Sequence, residues 1–524
     1  MDLYPSKAFF APSERPSFVL KDVPEGTAYA LYSLEKVVLS GSVQGGKLVL
    51  PELKEGSYGL EVGGLATAFE VRKAPLKRPR YGFLSDFSVG AEASSYGEFF
   101  LKMHLNCAQY YDWMYRHEDY LAPSDPFIDP MGKEKSQKAV KEKLDYGKGL
   151  GILPFAYGAV YGATNAYAVA HPEERFYDLA GKPLTFIDRF SIMNFADGSS
   201  WRERLLSNYE KAIGLGFCGI HMDTYGSPKE AWDYRGEHVA FEKEFPKLID
   251  EASRRLRKIG GVVTFNNVGA WPFEATCPCR CAFDYAEIWD PLDSYGDLLN
   301  LIREHHTLAK KKAFVLAAYL QPFYDEEEQR SALSAAELLD AIVSAAGAFH
   351  LMYGEEGRAL RTGYYPDNAR LCPASLASLR KIADFSVRYG DVLYDPELAD
   401  VSLSHLSGPN AEVVFSDPKV SPKAVPGRIL SIAREKDGLR ILSFINLSQQ
   451  TDVQWNAPKS ACAPSEVGMV SFRRRYPDER FFWADVDSPR LQAVPFEEKA
   501  GRITVSLPIF RLWGMLIAKR GGCQ

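Results

Sequence analysis

The chain is poor in several features, and each shortage narrows what it can be. Eight cysteines in 524 residues show no disulfide-framework spacing. Reduced thiols in a cytoplasmic protein are the expectation, or a secreted protein if a leader has been trimmed. The opening MDLYPSKAFFAPSERPSFVL has no basic segment followed by an apolar one and does not read as a signal peptide. No stretch is apolar over the roughly 18 residues that a bilayer-spanning helix needs. No basic block stands out and the formal net charge is -6, so neither nucleic acid nor an anionic membrane is expected as a partner. There is no internal repeat, no low-complexity tract and no GxGxxG after the first strand-like run.

Aromatic residues are plentiful, at 13%, with 28 Tyr and 8 Trp. Flat rings suit a sugar-binding cleft, where they pack on the apolar faces of pyranoses. The length implies more than one domain. Residues 1–75 read as short strands separated by turns (PSFVLKDV, TAYALYSL, KVVLSGSV, SYGLEVGG, TAFEVRK), the rhythm of an N-terminal Ig-like β-sandwich. The basic, proline-containing RKAPLKRPR follows as a linker. From 81 to about 390, eight apolar runs alternate with helical patterns: 81–87, 107–113, 151–158, 218–223, 261–267, 281–289, 312–319 and 348–354. Eight such units predict a central (β/α)8 TIM barrel carrying the catalytic site, with a doubly wound open sheet as the alternative. From 395 to 524 the strand rhythm returns, predicting a C-terminal antiparallel β-sandwich domain.

In such a barrel the residues that act on substrate lie at the carboxyl ends of the strands. Asp223 closes the fourth run and Glu287 lies near the end of the sixth. A carboxylate pair is what glycoside hydrolysis requires. One group attacks the anomeric carbon or guides water to it, and the other protonates the leaving oxygen. Asp223 as a plain helix N-cap is the competing reading. Near the same ends, Asp112, Trp113, Tyr115, Tyr157, Tyr161, Asn267, Trp289 and Glu355 are expected to bind substrate, though Tyr115 suits helix packing about as well. CPCRC at 277–281 lacks the paired CxxC of a structural zinc site, so no metal and no cofactor is expected.

YYDWMYRHE (110–118), PFAYGAVYGA (154–163), GFCGIHMDTYG (216–226), TFNNVG (264–269) and YAEIWD (285–290), in this order, resemble glycoside hydrolase family 66, the dextranase and cycloisomaltooligosaccharide glucanotransferase family. The resemblance spans about 80–360 and implies an endo-acting, retaining enzyme on α-1,6-glucan: dextran, or isomaltooligosaccharides for a cytoplasmic member. It implies Asp223 as nucleophile and Glu287 as general acid/base. Cyclising members carry a carbohydrate-binding module inserted in the barrel. The loops here leave no room for one, which points to hydrolysis, with transglycosylation to linear or cyclic products and a non-catalytic glucan-binding protein as alternatives.

Overall fold

The computed structural model of the chain describes residues 1–309, 311–325, 329–408 and 411–521. Eight short parallel strands form its centre: Tyr81–Leu84, Cys107–Tyr110, Leu153–Ala159, Gly219–Asp223, Val262–Val268, Asp284–Glu287, Phe314–Ala317 and Phe349–Leu351. Each lies beside its neighbours in sequence, with none of the order reversal of a doubly wound sheet. The sheet curls until one chain segment touches both ends. Phe349–Leu351 pairs with the seventh strand, and Gly354, three residues on, pairs in parallel with Phe83 of the first. A hairpin of Arg358–Leu360 and Asn368–Arg370 extends the same sheet.

The strands carry apolar residues on both faces because both are covered. Inside the curl, Tyr81, Phe83, Phe155, Phe283, Tyr285, Val315 and Leu351 form one buried cluster. Outside, helices close over the sheet. Phe241–Arg257 turns Phe245, Leu248, Ile249, Ala252 and Leu256 inward at helical spacing while its charged residues face water. Burying each such Leu or Phe contributes about 1.5–3 kcal/mol before the entropy of ordering is counted. Helix starts follow local chemistry: the Ser199 side chain accepts from the Arg202 N–H, and Ser294 with Asp297 makes a full capping box.

Residues 2–71 hold a three-stranded and a four-stranded antiparallel sheet around Leu3, Phe10, Phe18, Leu31, Leu60 and Phe69. Beyond 399 a seven-stranded and a four-stranded sheet enclose Leu442, Phe444, Phe472, Phe481 and Trp483. The segment expected as a linker is pinned rather than loose. Glu70, 1% exposed, accepts from Arg78 at 2.5 Å, from Arg80, and from Arg72 at 3.4 Å. Arg72 and Arg78 also hold Asp391, in the short helix Gly390–Leu393. Burial pushes the Glu70 carboxyl up, but Arg80, Arg78 and Arg72 together outweigh it and hold it well below the usual range.

A buried carboxylate that neutralises several arginines leaves them uncompensated when removed. Glu70→Gln should therefore destabilise the protein by about 3–5 kcal/mol at pH 7, read as a lower denaturation midpoint. Because the folded-state pKa is depressed, this stabilisation is present above the unfolded value of about 4.3 and is lost as pH falls below it. The gap between wild type and variant should therefore narrow in acid. A constant gap would place the effect in packing instead.

Candidate active site

Asp223 ends the fourth strand, whose Ile220 and Met222 are fully buried. The register explains what stands next to it. Met222 lies opposite Phe265, which sets Asp223 beside Asn266 on the fifth strand. Asn266 lies opposite Tyr285, two residues before Glu287 on the sixth. Side chains two apart on a strand share a face, so Asp223, Asn266 and Glu287 point the same way.

The Asn266 Nδ2 group donates to Asp223 Oδ1 at 2.7 Å and to Glu287 Oε2 at 2.9 Å. These two oxygens are thus no farther apart than two hydrogen bonds laid end to end. That limit lies close to the roughly 5–5.5 Å typical of retaining glycosidases and short of the roughly 6.5–9.5 Å of inverting ones. Each carboxylate has a second donor on its outer side. Tyr157 Oη donates to Asp223 Oδ2 at 2.8 Å, and Tyr319 Oη donates to Glu287 Oε1 at 2.8 Å. Gly363 closes over the acid: a Cβ there would stand 2.9 Å from Glu287 Oε1.

Burial lifts both carboxyl groups above their ordinary range. The Glu287 charge lifts Asp223 further, while the hydrogen bonds from Asn266 and the two tyrosines pull the other way. Two carboxyls this close in a poorly solvated site retain one proton between them near neutrality. Such a pair offers one ionised and one protonated group, which double displacement at a glycosidic carbon requires.

The pair opens into a cleft of about 800 Å³ lined by Tyr111, Asp112, His117, Tyr157, Tyr225, Trp271, Trp289 and Tyr364, among others. Of the expected substrate-binding residues, Asp112, Tyr157 and Trp289 line it. Asp112 adopts a left-handed backbone (φ 51°), and burial pushes its carboxyl up to about 6. Trp289 is 41% exposed and packs against Tyr319.

The other expected contacts are placed elsewhere. Trp113 is fully buried, packed on Tyr120 and Phe217, and its Nε1 donates to the Tyr157 carbonyl. Tyr115 faces Phe127 and Arg116, away from the cleft. Tyr161 is buried and its hydroxyl accepts the Tyr225 N–H at 2.8 Å. Asn267 points to the opposite face from Asn266, donating to the Tyr285 carbonyl and accepting from Thr276. Glu355 is buried, accepts the N–H groups of Ser85 and Asp86, and pairs with Lys143 at 2.7 Å. None of these five lines the cleft. In the sequence Asn266 is marked only as one of several polar residues at strand ends, and nothing singles out Tyr319, His117 or Gly363. Strand alternation alone distinguishes Asn266 from Asn267 once the register is known.

The cysteines of CPCRC are buried at the other end of the strands. There Cys277, Asp284 and His305 come close enough to share an ion. Asp284 is already engaged by Lys312 at 2.7 Å and by His305 at 2.9 Å, so a lysine ammonium supplies the positive charge.

The sequence model for glycosyl hydrolase family 66 matches residues 54–517. Two cycloisomaltooligosaccharide glucanotransferases of Niallia circulans are 27% and 26% identical over 290 and 275 residues, 49% and 47% of this chain. Those matches span only 29% and 28% of the relatives' own length. A crystal structure of a Paenibacillus sp. cycloisomaltooligosaccharide glucanotransferase complexed with cycloisomaltoheptaose shares the fold, with a TM-score of 0.87 over 99% of both chains at 20% identity. A maltogenic alpha-amylase from Thermotoga neapolitana is a more distant fold relative, with a TM-score of 0.53 at 12% identity over 84% of this chain and 99% of its own. With its family model matched over most of its length, the chain belongs to glycosyl hydrolase family 66.

Proposed function

We propose that the protein is a retaining glycosidase that cleaves α-1,6-glucosidic linkages in dextran or isomaltooligosaccharides, built on a (β/α)8 barrel. The observation that carries this reading is the single Asn266 amide bridging Asp223 and Glu287. Asp223 attacks the anomeric carbon. The bond from that carbon to the leaving oxygen breaks, and the Glu287 proton passes to the leaving oxygen. With the sugar esterified to Asp223, that carboxyl can carry no charge, so an ionised Glu287 meets no repulsion from it. Glu287 then takes a proton from water, whose oxygen attacks the same carbon and frees Asp223. Tyr157 and Asn266 hold the nucleophile in line, and Tyr319 and Gly363 position the acid. Asp112, Trp289 and Tyr364 are suited to hold sugar rings.

Transglycosylation is the second reading. It shares the first half-reaction and differs only in which hydroxyl attacks next. The names of the relatives favour it. The lack of an inserted module carries no weight against it, since the Paenibacillus enzyme's chain is covered over 99% of its length. Chromatography of products from isomaltotetraose separates the two: shorter sugars alone mean hydrolysis, and longer or cyclic ones mean transfer. A protein that binds these sugars without turnover would be the non-catalytic alternative.

Asp223→Asn and Glu287→Gln should each lower kcat on isomaltooligosaccharides by about 10³-fold or more, because the two groups act as a unit. Near-normal turnover by either protein would contradict the assignment. The tyrosines test which carboxyl does what. Each hydroxyl stabilises the ionised form of the carboxyl it touches, so its removal raises that group's pKa. Tyr319→Phe should move the basic limb of the kcat/KM profile to higher pH, because that limb marks loss of the acid's proton. Tyr157→Phe should move the acidic limb to higher pH, because that limb marks protonation of the nucleophile. Movement of the opposite limbs would reverse the two roles.

A further inference from the structure

Between the third strand and the helix Ser200–Leu215 the chain leaves the central sheet and builds a small antiparallel sheet from Gly162–Thr164, Thr185–Phe186 and Phe190–Ile192. Its hairpin tip is Phe186-Ile187-Asp188-Arg189, closed by the Arg189 N–H donating to the Phe186 carbonyl at 3.3 Å. Ile187 and Asp188 both have left-handed backbones, φ 46° and 56°. Tight hairpin turns of this kind favour Asn and Gly. Aspartate tolerates the conformation, but a β-branched isoleucine is a strained outlier there.

Nothing about packing accounts for an isoleucine at this place. Its side chain is 54% exposed, so it adds little to any core. What it does face is the catalytic cleft, which Phe186, Ile187 and Phe190 line together. The strain is held from several sides. Phe186 stacks on Tyr225 at 4.1 Å and 10°. Arg189 Nη1 donates to the Pro130 carbonyl at 3.2 Å, bracing the tip against a loop that also lines the cleft. Asn165 Nδ2 donates to the Asp188 carbonyl at 2.9 Å, and the Ser191 hydroxyl holds the Asn165 side-chain oxygen at 2.9 Å. A costly backbone conformation fixed this firmly beside a reacting pair is where a functional constraint is expected.

We propose that the hairpin tip is a substrate clamp and that Ile187 is its contact with the bound sugar chain, its branched side chain packing on the apolar C–H face of a glucose ring away from the scissile bond. The inference rests on the reading of the cleft as an α-1,6-glucan site and adds a determinant of affinity that neither carboxylate supplies. Clamp and scaffold make opposite forecasts. If Ile187 serves stability, replacing it with glycine costs stability. If it is kept for substrate, glycine relieves the backbone and removes the contact.

The test is calorimetric binding of isomaltotetraose to the Asp223→Asn protein, with and without Ile187→Gly, alongside thermal denaturation. Affinity should fall roughly tenfold, the loss expected for one apolar contact, while Tm stays level or rises by about 1 °C. Ile187→Leu, apolar but not β-branched, should keep affinity within about twofold. Equal affinity with and without Ile187→Gly would overturn the clamp while leaving the cleft's assignment intact. A fall in Tm with unchanged affinity would make the residue structural and overturn the clamp too. Absence of isomaltotetraose binding in the Asp223→Asn protein itself would overturn the reading of the cleft, and the clamp with it.

Discussion

One amide holds the centre of this protein together. Two carboxyl groups facing each other in a poorly solvated cleft repel, and each would rather be neutral or in water. Asn266 sits between them and donates to both. Tyr157 and Tyr319 donate from outside. Four hydrogen bonds thus keep the pair close without removing the repulsion that leaves one proton shared. The arrangement depends on the register of three adjacent strands. A slip of one residue in the fifth would turn Asn266 outward and bring Phe265 or Asn267 between the carboxyl groups. The buried aromatic cluster inside the curl and the covering helices hold that register.

Much of this was legible in the chain itself, though not evenly. Each of the eight apolar runs overlaps one of the parallel strands, with the third and fifth strands running one residue past their runs, because strands covered on both faces are written as short continuous hydrophobic segments. Asp223 and Glu287 stand out in the chain by their place at and near run ends. What the sequence reading lacked was direction. Asn266 and Asn267 are adjacent and identical in type, and only the register says which faces the carboxylates. Trp113 stands between two cleft residues in sequence, and Tyr161 four positions after the cleft residue Tyr157, yet both point into the core, since a loop leaving a strand end can turn either way. Glu355 carries the right charge at the right height, but Lys143, from a helix 212 positions earlier, claims it. Long-range pairing of that sort leaves no local mark. The connector RKAPLKRPR is a further case: nothing in its local sequence says that Glu70 and Asp391 hold its arginines.

Rigidity and reach are divided between different parts of the chain. The strand-borne groups that would do chemistry are held by backbone ladders, whereas the groups suited to hold sugar lie largely on excursions from the sheet. Hydrolysis and transfer share every strand-borne group. On the proposed reading, the choice between them would fall to the excursions: the turn at Gly363 over Glu287, the aromatic rim of Trp289 and Tyr364, and the hairpin tip at Ile187. Small changes there would alter whether water or a sugar hydroxyl reaches the glycosyl-enzyme, with no change in the pair itself. This accounts physically for how one family can hold members named for transfer and members expected to hydrolyse.

If the bridged pair works by double displacement through Asp223, the configuration at the reacting carbon is kept. Proton NMR of isomaltotetraose during the first minutes of reaction, before mutarotation, reads this directly. New reducing ends, or new linkages if transfer prevails, should appear first as the α-anomer. First appearance of the β-anomer would contradict double displacement, because a single displacement by water needs a wider gap between the carboxyl groups than the Asn266 bridge allows.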